Sequence, residues 1–176
     1  MNNNKNEENW LTNVLFIIYL AVLLWILVFK LGVRFSYMES RNFNLIPFSE
    51  LLNLNGKVDF DQVILNVLIF LPLGIYIGML FKRWTFSKRV LLFFGVSLAI
   101  EAFQFIFRIG AFDVTDILTN TFGGMLGSLI FTAIGKVLND EFKAQKIVNI
   151  IAVIGTIVVI FFLLLLKLNM LPVKYQ

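Results

Sequence analysis

Five apolar runs, each long enough to cross a membrane, govern what this chain can fold into. Leu11–Phe29, Gln62–Phe81, Val90–Phe107, Ile117–Gly135 and Ile147–Leu166 are each 18–20 residues long. As helices rising about 1.5 Å per residue, such runs match a hydrocarbon layer about 30 Å thick. Backbone N–H and C=O groups find no water at that depth, and a helix satisfies them within the segment. Four of the runs carry no formal charge, and the third carries one, Glu101. The expected fold is all-α, a polytopic transmembrane bundle of about five helices forming a single integral membrane domain over residues 1–176. The hydrophobic fraction is 59%, against about half in a soluble domain.

The first run is expected to be a retained helix and not a secretory leader. The segment before it, MNNNKNEEN, is not basic, the apolar run exceeds a leader's, and no small-residue cleavage pattern follows. Trp10 and Lys30 would lie near its two interfaces. The loop between the second and third runs, Lys82 to Arg89, holds four basic residues and no acidic one. By the positive-inside rule it is cytoplasmic. The N-terminus is then inside, the loop at 30–61 outside, and the C-terminus outside. Counted over the whole chain, eight basic residues then fall inside and seven outside, so the dense short loop decides the orientation. The 30–61 loop mixes Arg34 and Arg41 with apolar residues around Pro47, and Ser49 can cap a short helix. A short interfacial or re-entrant segment is expected there.

The chain has no cysteine and no histidine. Disulfides, thiolate chemistry, histidine-based triads, haem and the usual zinc sites are excluded. No cofactor is expected, and any metal would be a hard cation held by oxygens. The net charge of +4 points to loops beside anionic lipid and not to nucleic acid.

Polar residues inside the runs are the functional candidates, because charge at bilayer depth is costly and usually faces protein or a wet cavity. Glu101, Gln104 and Arg108 follow an i, i+3, i+7 stripe. Asp113, Asp116, Asn120, Gly123 and Gly127 repeat a similar rhythm, with Asp113 at or just before the helix start, and Asn66 precedes Gly74 by two turns. With the orientation above, Glu101, Asn120 and Asn66 all lie in the outer half of the bilayer. They are expected to converge, with Arg108 pairing to Asp113, Asp116 or Glu101, and basic residues of the long loop, Arg41 among them, closing over the cluster. Gly74-x-x-x-Gly78 and Gly123-x-x-x-Gly127 would let helices approach closely. The last run has only Asn149 and Thr156 as polar residues. It is expected to be peripheral and tolerant of substitution, and Asp113 and Asp116, at a solvated mouth, are expected to tolerate Asn without much loss of stability.

Four segments taken together resemble one known family. Asn44-Leu45-Ile46-Pro47-Phe48 and Asn66-x-x-x-Phe70-Leu71-Pro72-Leu73-Gly74 come first. Glu101-x-x-Gln104 follows, and then Phe112-Asp113-x-x-Asp116-x-x-x-Asn120-x-x-Gly123-x-x-x-Gly127. Their order and spacing are similar to the VanZ-like family of bacterial membrane proteins, over a motif-bearing core of about residues 41–131. The resemblance implies a multi-pass protein of the bacterial plasma membrane, in a family named for an association with resistance to the glycopeptide teicoplanin. Several members carry an arginine just before the Phe-Asp pair. Here Gly110-Ala111 stand there and Arg108 is the nearest arginine.

The candidate ligand-binding set is Arg41, Asn66, Glu101, Gln104, Arg108, Asp113, Asp116 and Asn120. Its expected partner is a membrane lipid or a lipid-linked cell-wall precursor. Competing readings are an enzyme using these carboxylates on an envelope lipid, a small transporter, and a buried polar network that only fixes packing. The sequence displays no obvious nucleophile, and it lacks the clear inverted repeat or broken helix of a transporter.

Overall fold

The computed structural model describes residues 2–29, 43–48 and 60–167. These form α1 (Asn2–Phe29), β1 (Phe43–Asn44), α2 (Asp61–Leu80), α3 (Phe86–Phe107), β2 (Phe112–Asp113), α4 (Val114–Leu138) and α5 (Glu141–Lys167). All five helices are long and apolar enough to cross a membrane, the architecture of a multi-pass membrane protein. The apolar runs located the helices but not their full length. α1 begins in the polar Asn-rich segment and α5 begins six residues before its run, and both extensions have tertiary partners described below.

The bundle is built around α2 and α4, which make its most extensive contact. Glycines form the seam. A Cβ built on Gly74 would fall on the carbonyl oxygen of Gly124, one on Gly123 on that of Val67, and one on Gly127 on that of Leu71. Two backbones therefore touch directly, which suits a setting where lipid gives helices no hydrophobic reason to associate and packing must. Gly78 is different, because it faces the ring of Phe131.

Pro72 inside α2 removes the amide hydrogen that Leu68 would otherwise receive. One residue on, the Tyr19 hydroxyl of α1 donates to the Ile69 carbonyl at 2.8 Å. α3 packs on the other flank of α4, where Phe93, fully buried, lies against Gly124.

Helix ends are fixed by side chains. Thr85 caps α3 by accepting from Lys88 N–H, and Asp140 Oδ1 accepts from the N–H groups of Phe142 and Lys143 at the start of α5. α3 stops at Arg108, which adopts a left-handed conformation (φ 59°) while Ile109 N–H returns to the Gln104 carbonyl. Five residues after Arg108, Asp113 opens α4. β1 pairs in parallel with β2, Phe43 opposite Phe112 and Asn44 opposite Asp113, and Phe43 stacks on Phe105 of α3 with centroids 4.2 Å apart. The described part of the 30–61 loop is thus clamped onto the bundle end made by α3, α4 and the start of α2. The helix expected at Ser49 lies outside the described residues.

Candidate functional site

At that end two polar seams run down adjacent faces of α4. On the α2 side Asp116 is the hub. Its Oδ1 accepts from Asn66 Nδ2 at 2.7 Å and from Gln62 Nε2 at 2.9 Å, and its Oδ2 accepts from Gln62 at 3.2 Å. Asn66 also donates to Thr119 Oγ1 at 3.3 Å, and that hydroxyl donates to the Thr115 carbonyl at 2.9 Å. The spacing explains the convergence. Gln62 and Asn66 are one turn apart on α2, Asp116 and Thr119 one turn apart on α4, and the glycine seam below holds the two helices at backbone contact.

On the α3 side Glu101 and Asp113 meet. Glu101, only 2% exposed, accepts the backbone N–H of Asp113 through Oε2 at 3.1 Å. Asp113 Oδ1 accepts the N–H of Thr115, forming the N-cap of α4, and its Oδ2 accepts from Asn44 Nδ2 at 3.0 Å. The Phe48 N–H donates to Thr115 Oγ1 at 2.9 Å. One turn deeper, Asn120 donates to Ser97 Oγ at 3.0 Å. A carboxylate at an N-cap is well placed, since the first turn of a helix offers unpaired N–H groups and a favourable dipole.

Several expected site residues come together as the sequence suggested. Asn66 joins Asp116, and Glu101 packs against the start of α4. Gln104 is buried, with its side chain against Gly110. Other expectations need correction. Asn120 does not join Asp116, although only about 40° separates them around α4: it bonds to Ser97 of α3, while Asp116 and Thr119 bond to Asn66 of α2. Asp113 is not at a solvated mouth but 6% exposed, as a cap and a link to β1. Arg108 is exposed and forms no ion pair among the described residues, because the helix whose stripe it would have extended ends one residue earlier. Arg41 lies outside the described residues. Sequence reasoning missed Gln62, Ser97, Thr115 and Thr119 as partners. The i, i+4 relation of Gln62 to Asn66 was the available signal. Among the described residues no group of three or more Asp or Glu side chains is placed to hold a metal ion.

A second polar cluster lies at the opposite end, between α1 and α5. Thr12 Oγ1 bonds Asn149 Oδ1 at 3.0 Å, Gln145 Nε2 donates to Thr12 Oγ1 at 2.9 Å and to Asn9 Oδ1 at 3.1 Å, and Asn149 Nδ2 donates to Glu8 Oε2 at 2.9 Å. This overturns the view of α5 as uniformly peripheral. Its later residues, Ile150 to Phe161, leave most of their large apolar side chains exposed, but Gln145 and Asn149 are buried.

The family model for VanZ/LLP1 matches residues 16–138, a span that takes in both seams of α4 and the glycines beneath them. The chain belongs to the VanZ/LLP1 family. Protein VanZ of Enterococcus faecium is 32% identical over 163 residues, covering 90% of this chain and 96% of that protein. No solved structure matches the chain. The family assignment agrees with the motif residues read from the sequence, and the geometry adds what they do. Asp113 and Glu101 tie α3, α4 and β1 together, while Asp116 gathers the amides of α2.

Proposed function

We propose that this chain binds the polar end of an envelope lipid, or of a lipid-linked cell-wall precursor, at the end of the bundle that carries the two seams. In this reading that end faces the outside of the bacterial plasma membrane, with the N-terminus cytoplasmic and the C-terminus outside, and binding contributes to glycopeptide resistance of the teicoplanin type. The observation that carries the reading is Asp116. It is half-buried, and its partners include one buried amide, Asn66, and one exposed amide, Gln62. A network needed only for packing has no use for an amide as exposed as Gln62. The exposed Gln62 bond is one that a ligand hydroxyl or ammonium group can replace at small cost, because the displaced amide returns to water.

Membership in the VanZ/LLP1 family supports the glycopeptide connection, and the basic loop Lys82 to Arg89, at the opposite end of the bundle, supports the orientation. Binding is favoured over catalysis by how the site's hydroxyls are used. Thr119 donates to a backbone carbonyl and Thr115 accepts a backbone N–H, so neither is poised beside a base.

The test compares Asp116→Asn and Gln62→Ala with wild type for teicoplanin susceptibility and for protein abundance in the membrane. The expected result is lost protection at unchanged abundance. Protection that falls only in step with abundance identifies the seams as packing contacts.

A further inference from the structure

The α3–α4 seam contains an incomplete hydrogen-bonding position one turn below Glu101. Asn120 is 1% exposed and Ser97 0%. Asn120 Nδ2 donates to Ser97 Oγ, and its Oδ1 is buried with no partner. Turning the amide over does not remove the vacancy. The oxygen then accepts from the Ser97 hydroxyl, and the amide nitrogen is left without an acceptor. An amide group unmet at bilayer depth is costly in either orientation.

Register places this pair within the described site. Ser97 precedes Glu101 by one turn of α3, and Asn120 follows Asp113 by two turns of α4, so the pair lies about 6 Å deeper than Glu101 on the same seam. The two orientations of the amide demand different things. One needs a donor and the other an acceptor. A phosphate or carboxylate oxygen only accepts, and an ammonium group only donates. A hydroxyl does both, and it can bridge the Asn120 oxygen and the Ser97 hydroxyl at once.

We propose that Ser97 and Asn120 form a hydroxyl-binding subsite at the floor of the site, filled by water or by a hydroxyl on the polar end of the bound lipid. The water arm stands on the geometry alone. The lipid arm rests on the binding function proposed above. In both, Glu101 stands one turn above Ser97 on α3, between the pair and the bundle end.

The deciding measurement is a structure of the wild-type protein in lipid nanodiscs at a resolution that shows ordered water. Density within hydrogen-bonding distance of the Asn120 amide, beyond Ser97, is expected. An amide that contacts Ser97 alone overturns the proposal, and this measurement needs no variant to fold. Asn120→Leu, similar in size, then assigns the source. If water fills the position, melting temperature in ligand-free detergent and abundance in cells fall together. If a lipid hydroxyl fills it, melting in ligand-free detergent is unchanged or raised and abundance is kept. Protection against teicoplanin then falls roughly tenfold, the equivalent of about 1.4 kcal/mol. Melting raised with protection intact overturns the proposal, because the amide was then unmet in the working protein. The binding function itself fails on a separate result, Asp116→Asn without effect, which leaves the density at Asn120 untouched.

Discussion

Replacing Asp113 should cost stability, in an order set by which of its two bonds survives. Its carboxylate caps α4 through Thr115 N–H and holds β1 through Asn44 Nδ2 at 3.0 Å. Loss of an N-cap costs about 1 kcal/mol, and loss of a partly buried bond to a charged acceptor about 1.5 kcal/mol, the lower end of its range. Asp113→Ala loses both, about 2.5 kcal/mol in total. Asp113→Asn keeps an equally good cap but turns an amide nitrogen towards the Asn44 amide nitrogen, so it loses about 1.5 kcal/mol. Reversible unfolding in mixed detergent–SDS micelles measures the order wild type, Asp113→Asn, Asp113→Ala. A double-mutant cycle with Asn44→Ala isolates the strand link, with an expected coupling of about 1 kcal/mol or more. If both Asp113 variants match wild type within about 0.5 kcal/mol, or the cycle shows no coupling, the buried-cap reasoning is wrong.

Three further expectations follow from other parts of the bundle. Gly127→Val should abolish accumulation of the folded protein, since its side chain meets the Leu71 backbone, whereas Gly78→Ala, against a movable Phe131 ring 3.1 Å away, should accumulate normally on a membrane blot. Asn149→Leu should destabilise by about 1–3 kcal/mol, by leaving Thr12 and Glu8 short of a partner, while Ile154→Ala, on the exposed face of the same helix, should stay within about 0.5 kcal/mol of wild type in the same unfolding assay. In this cysteine-free chain, Asn55→Cys should react with an impermeant thiol reagent in intact cells and Arg83→Cys should not, and the reverse pattern would turn the site to the cytoplasm.

The helices were legible because run length and charge-free composition are enough to specify a membrane span. The approach of Asn66 to the start of α4 was legible from depth, since α2 and α4 run parallel from the same end and Asn66 stands within about two turns of it. The division of α4 into two faces was not. Asp113, Asp116 and Asn120 share a rhythm, but their stripe, about 60° wide, straddles the boundary between the α2 and α3 contacts, and only the glycine contacts show which edge faces α2. Arg108 misled because periodicity cannot see the left-handed residue that ends α3. Asn44 acts through a strand pair formed 69 residues away, which local pattern does not encode. The α1–α5 cluster was hidden for another reason. Gln145 sits outside the apolar run, so the i, i+4 pair it makes with Asn149 was split by the boundary drawn between loop and span.

The central claim is that Asp116 and its amides hold the polar end of a lipid. Native mass spectrometry of protein released directly from membrane-derived nanodiscs tests it most directly. Wild type should retain a discrete lipid-sized adduct that Asp116→Asn and Gln62→Ala lose or weaken, with Ile154→Ala keeping it. Wild type with no retained species, or with the same adduct in every variant, would contradict the account.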